Sequence, residues 1–103
     1  MTTKAKPRMV RSSGNVFRDL GFAPGTAEHL LVRTDLMIRI EKELRVHGLK
    51  QAHAAKLLGI SQPRVSDLLR GRVELFSADT LIDMLARLGM RVRFTTSTRK
   101  RVA

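Results

Sequence analysis

The stretch QAHAAKLLGISQPRVSDLLRG, residues 51–71, carries two short helical patterns separated by a Gly-Ile-Ser break. Isolated helices of this length are marginal in water, so the two are expected to form only by packing on each other and on the rest of the chain. In the first, Ala54, Ala55, Leu57 and Leu58 are the apolar members and Gly59 ends the run. In the second, Ser61 is the expected N-cap, Pro63 falls in the first turn where a missing N–H costs nothing, and the helix runs to about residue 70. Val65, Leu68 and Leu69 are expected to face inward.

A three-residue connection of this kind is the length used by helix-turn-helix units. Ala55 precedes Gly59 by four residues, where a methyl group lets the two helices approach. Gly59 starts the turn, where a positive φ is cheap for glycine, and Ile60 is expected to plug the space between the helices. The outward face of the second helix is then Gln62, Arg64, Ser66, Asp67 and Arg70, nearly all able to hydrogen-bond.

The flanking segments are expected to supply the core that this pair needs. GNVFRDLGFAPG suits one helical turn over residues 15–20, with Val16, Phe17, Leu20 and Phe22 docking on apolar surface of this chain or of a partner. Residues 26–46 read as one long helix with Thr26 as N-cap and Gly48 as stop, and Leu30, Met37, Ile40 and Leu44 share a face. Glu41 and Arg45 make an exposed i,i+4 pair. Ser77 caps a further helix with Asp79 in its first turn, Leu81, Leu85 and Leu88 on its buried face, and Gly89 at its end.

The period then changes. In MRVRFTT, Met90, Val92 and Phe94 alternate with Arg91, Arg93 and Thr95, the pattern of a strand with one apolar face. No second strand pattern is present elsewhere, and a lone strand leaves its backbone unpaired. The economical expectation is a two-fold ribbon in which this segment pairs antiparallel with its copy and closes a dimer. At 103 residues the chain is one small domain with tails, a size at which dimerisation would add useful stability.

Charge narrows the class of partner. Twenty Lys and Arg against nine Asp and Glu leave a net charge of +11, which favours a polyanion, nucleic acid first and an anionic membrane surface second. Residues 1–13 carry four positive charges and no acid, and are expected to be a disordered basic arm, either a nucleic-acid arm or a plain terminus. Residues 97–103 form a second basic tail, which leaves 14–96 as the domain. The absence of a long apolar run or a short apolar block behind the N-terminus makes a cytoplasmic protein the default expectation, without a membrane span or secretory signal. There is no Cys, the His residues have no ligand cluster around them, and Ser, His and Asp lack a nucleophile-turn context. Neither a metal, a cofactor nor an enzymatic activity is expected.

KQAHAAKLLGISQPRVSDLLRGR resembles the helix-turn-helix of lambda-repressor-like (XRE) DNA-binding proteins in its Gln-Ala opening, small residue, Gly, apolar-Ser turn and Val-Ser pair. SGNVFRDLGF ahead of a long helix, with FSADTLIDMLARLGMRVRF behind the motif, looks like the HigA-like antitoxin branch of that family. The resemblance spans about residues 13–95. It implies a lambda-repressor-like helix-turn-helix dimer, and with the strand pattern above the expected fold is an all-α bundle of about five helices with one C-terminal β-strand pairing across the dimer. It further implies a repressor of its own promoter that neutralises a RelE/HigB-like ribonuclease toxin. The basic N-terminal arm departs from the acidic segments with which antitoxins often cover basic ribonucleases. A stand-alone XRE-family regulator without a toxin is the alternative, and a toxin-sequestering module with a vestigial motif is a third.

On this reading Gln62 is the leading base reader, since its amide can meet adenine N6 and N7 and it matches a family reading position. Arg64 can fork onto guanine or hold a phosphate, and Ser66 and Asp67 are shorter-range base candidates. Gln51 matches a family position where side chain and helix N-terminus hold a phosphate, with Lys50, Arg70 and Arg72 as charge contacts to the backbone. His53 can touch DNA or remain solvated. Met90, Val92 and Phe94 are the expected dimerisation residues. The expected ligand is double-stranded DNA with a near-palindromic operator, bound by a homodimer.

Overall fold

The side chain of Asn15 starts the first helix by accepting hydrogen bonds from the backbone amides of Phe17 at 2.9 Å and Arg18 at 3.3 Å. In the computed structural model, which describes residues 15–98, this turn is α1, Val16–Asp19. The expected arm lies outside the described residues, as does the tail beyond residue 98. Asn15 is buried, and its amide donates to the Glu28 carboxylate at 3.2 Å, which fastens α1 to the following helix. Phe17 and Phe22 meet edge to face with centroids 6.1 Å apart, closing the turn on itself.

Helix α2 spans Pro24–Val46. It begins two residues before the expected cap: Ala23 is the N-cap, with no side-chain hydrogen bond, and Thr26 is already inside the first turn. Proline explains the difference, because Pro24 presets the helical φ at N1 and has no amide to leave unpaired. The far end is as expected, with Gly48 at φ 63° and the amide of Leu49 bonded to the carbonyl of Leu44 at 3.0 Å. Leu30, Met37, Ile40 and Leu44 are buried along one face, joined by Ala27. Glu41 and Arg45 pair at 2.9 Å on the solvent side.

Helices α3, Gln51–Leu58, and α4, Gln62–Leu69, pack on each other, and α5, Ala78–Arg87, packs along α2. A 3-10 turn, Val73–Leu75, links α4 to α5 and rests on α2. One apolar cluster joins all four longer helices, with Ile40, Leu58, Val65, Phe76, Leu81 and Met84 at its most buried positions. Among the described residues no helix is long and apolar enough to cross a membrane.

Three apolar assignments change. Leu57 and Leu69 are 41% and 39% exposed, because a two-turn helix offers a narrow inward stripe that Ala54, Ala55 and Leu58 fill in α3 and Val65 and Leu68 fill in α4. On α5, Met84 takes the deep position between Leu81 and Leu85, and Leu88 is half-buried.

The C-terminal segment forms no strand within the described residues of one chain. After Gly89, residues 90–98 adopt no regular structure, and the five α-helices are accompanied by no strand among the described residues. A strand exists only as part of a ladder, and the described residues of one chain offer no second strand to pair with. Met90 and Val92 pack partly buried against the helical cluster, whereas Phe94 is 58% exposed.

Candidate nucleic-acid interface

The turn between α3 and α4 is built by Gly59, which adopts the left-handed conformation at φ 73° and ψ 31°. Its amide and that of Ile60 both reach the carbonyl of Ala55, at 2.9 and 3.0 Å, and so close the end of α3. Ile60 packs partly buried against the core, as its place between the helices requires. Ser61 then opens α4, its Oγ accepting from the amide of Arg64 at 3.3 Å, with Pro63 in the first turn. The residue before this cap, Ile60, and the fourth helical residue, Val65, both join the apolar cluster, as in a hydrophobic staple.

Eight residues make α4 about 12 Å long, a length that matches the width of a B-DNA major groove, also about 12 Å. Val65 and Leu68 are buried beneath it, and Gln62 stands exposed at its N-terminal end. Ser66 and Asp67 are half-buried along its side. Asp67 meets Arg70 at 3.4 Å, one turn on.

Arg64 departs most from the expectation of a freely projecting side chain. Its guanidinium lies 4.3 Å from the centroid of the Phe76 ring, and Nη1 donates to the carbonyl of Leu75 at 3.2 Å. Nη1 of Arg33 on α2 donates to the carbonyl of Phe76 at 3.3 Å. Phe76 is 1% exposed, and neither it nor Arg33 stands out in the sequence pattern. One signal does identify Phe76: it immediately precedes the Ser77 cap and lies five residues before buried Leu81, the spacing of a second hydrophobic staple.

The α3 N-terminus is open. Lys50 is its N-cap but supplies no side-chain hydrogen bond, and Gln51 follows exposed as the first helical residue, so the first amides of α3 have no capping side chain. Such an end suits a phosphate oxygen. His53, two residues on, is exposed.

Beyond α4 the chain turns at Gly71, with φ 74°, and the amide of Arg72 returns to the carbonyl of Asp67 at 3.1 Å. Arg72 is half-exposed and pairs with Glu74 at 3.1 Å. A hydrogen bond to its own backbone amide, then the Arg72 guanidinium, hold the Glu74 carboxyl below its ordinary pKa. Surface pairs of this kind contribute little and exchange readily, so Arg70 and Arg72 remain exposed cations at the edge of α4. Among the described residues no group of three or more His, Asp or Glu is placed to hold a metal ion. Of the three expected dimerisation residues, Met90 and Val92 are half-buried against the helical cluster and Phe94 is exposed.

A family model described as a helix-turn-helix domain matches residues 16–96, the whole bundle and the segment behind it. A solved structure assigned to the XRE family of transcriptional regulators is 32% identical to this chain and superposes with a TM-score of 0.67, over 76% of this chain and 90% of the other. No curated protein matches the chain. With the Gly59 turn, the Ser61 cap and the Val65 and Leu68 seam seated as the motif requires, the chain belongs to the helix-turn-helix domain family in its XRE-like form.

Proposed function

We propose that the protein is a DNA-binding transcriptional regulator that reads a specific duplex sequence through α4 and represses the promoter it occupies. The observation that carries this reading is the placement of Gln62, exposed at the leading end of a helix whose other face is locked into the core. Its amide suits adenine in the major groove, while Gln51, Lys50, Arg70 and Arg72 engage phosphates on either side. Ser66 and Asp67 lie further along α4 and add shorter-range contacts.

The protein acts as a homodimer on a near-palindrome, with the two copies of α4 in successive major-groove faces about 34 Å apart. Pairing of residues 90–95 from two copies would provide the ladder absent from the described residues of one chain, and exposed Phe94 would gain cover. Footprinting on the DNA upstream of its own gene, with light scattering of the free protein, tests both parts. A protected near-palindrome and a dimeric mass are expected; uniform protection of random DNA by a monomer defeats the reading.

The finer assignment is the antitoxin of a type II pair that represses its own operon and neutralises a RelE/HigB-like ribonuclease. It is supported by the resemblance of the segments flanking the motif, and by α1 and its following turn, where Val16, Leu20 and Phe22 offer exposed apolar surface. Co-expression with the product of the adjacent gene tests it. A stable complex that abolishes RNA cleavage is expected; an adjacent gene without ribonuclease activity leaves a stand-alone regulator.

A further inference from the structure

Arg64 lies on the reading helix, yet its guanidinium is turned away from the helix axis onto the segment that leads into α5. Three attachments hold that segment. At its start the amide of Arg72 bonds to the carbonyl of Asp67 on α4. At its end, Arg64 from α4 holds the carbonyl of Leu75, and Arg33 from α2 holds that of Phe76. Between them the amide of Leu75 bonds to the carbonyl of Arg72 at 3.0 Å, so Arg72 is hydrogen-bonded directly to the residue that Arg64 clamps.

The Phe76 ring beneath the guanidinium is fully buried and cannot follow an outward movement of Arg64. Leaving the ring to reach a base would forfeit both the cation–π contact and the hydrogen bond to Leu75. A planar guanidinium is suited to this seat, since one edge donates while the face stacks; an ammonium cannot do both.

We propose that Arg64 is a positioning residue for DNA binding: stacked on Phe76 and bonded to Leu75, it sets the place of Arg72 relative to the reading helix, so that its effect on DNA runs through Arg72. This rests on the DNA-binding reading above and adds to it a division of labour, in which Gln62 reads bases and Arg64 holds the phosphate-contacting segment in register.

The test is a double-variant cycle on the full-length protein with a mixed-sequence duplex, which needs no knowledge of the operator. Arg64→Ala and Arg72→Ala each lower affinity, by about threefold to tenfold, and the double variant loses little more than the larger single loss. Arg64→Lys, which keeps the charge, behaves as Arg64→Ala. Additive losses, or full rescue by Lys, show that Arg64 contacts DNA as a charge and overturn the proposal. So does loss of preference at one base pair of a selected duplex with mixed-sequence binding intact, the signature of base reading.

A second measurement does not depend on DNA. Amide exchange at Leu75 and Phe76 in the free protein accelerates in Arg64→Ala and in Arg64→Lys, while exchange in the middle of α2 stays unchanged. Unchanged exchange at Leu75 and Phe76 removes the clamp even where DNA binding holds. Failure of the wild-type protein to bind any duplex, with the exchange result as expected, instead removes the DNA-binding reading and with it the role assigned to Arg72.

Discussion

The guanidinium of Arg87, at the last turn of α5, lies over Gly59, so that a Cβ added to the glycine would stand 3.1 Å from the guanidinium carbon. Arg87 is itself braced by Asp83 one turn earlier, at 3.1 Å. The turn of the motif is thus covered by the C-terminal end of the bundle, and two separate constraints meet at residue 59: a positive φ and a close neighbour.

These constraints can be separated. Gly59→Ala is expected to destabilise the protein by about 1–2 kcal/mol, chiefly through the left-handed backbone, because the end of an arginine side chain can shift. Urea unfolding of Gly59→Ala alone and together with Arg87→Ala measures the division. Recovery of most of the loss in the double variant would show that crowding, not φ, is the cost.

Burial orders the core substitutions. Phe76→Ala is expected to cost about 3–5 kcal/mol, as for other fully buried aromatic side chains. Leu69→Ala should cost clearly less, since Leu69 remains 39% exposed at the surface of α4. Equal losses in denaturant midpoint for the two would contradict the placement of Phe76 at the centre of the cluster.

Reading and holding should respond differently to truncation. Gln62→Ala is expected to relax preference at its base pair by roughly 1–3 kcal/mol, leaving binding to mixed-sequence DNA nearly unchanged. Arg72→Ala should weaken all sequences alike and make the salt slope shallower by about 1. With roughly six phosphates contacted, the wild-type slope of log K against log salt should lie near about −5. Titrations of selected and mixed duplexes at several salt concentrations check all three.

If Arg72 holds a DNA phosphate as proposed, Glu74 is the anion that competes for it within the protein. Its carboxyl is held below the ordinary carboxylate range, so whatever stability the Arg72 pair contributes is present above that range and lost as pH falls through the lowered pKa. Glu74→Gln is therefore expected to tighten binding to mixed-sequence DNA at neutral pH and to leave thermal stability nearly unchanged, the pair being at the surface. A weaker affinity in Glu74→Gln would show that the ion pair aligns Arg72 more than it occupies it.

Much of the motif could be read before any coordinates. Gly59, Ser61 and Pro63 act through local geometry, a permitted φ, a side-chain acceptor and a missing N–H, and each is a property of the residue at its position. The stripe of Leu30, Met37, Ile40 and Leu44 follows from helical periodicity in the same way. The start of α2 was misplaced, because Thr26 offered the more familiar cap while Pro24 sets the actual first turn.

What lay beyond local pattern was decided by packing between segments distant in the chain. Arg64 reads in sequence as an outward side chain of α4, and only the fold brings Phe76 and Leu75 beneath it, across eleven residues of chain that include a 3-10 turn without periodicity. Residues 90–95 alternate as a strand does, but alternation specifies only which side chains share a face. Whether a strand forms depends on a second backbone to pair with, and within one copy of this chain there is none among the described residues. Amino-acid order alone determined the helices, the Ser61 and Ser77 caps, the Gly48 and Gly59 stops and the outward placement of Gln62, because those depend on neighbours within about four residues. The tertiary structure decided the seat of Arg64, the burial of Phe76 and the cover over Gly59, because each is a contact between elements that meet only when the bundle closes.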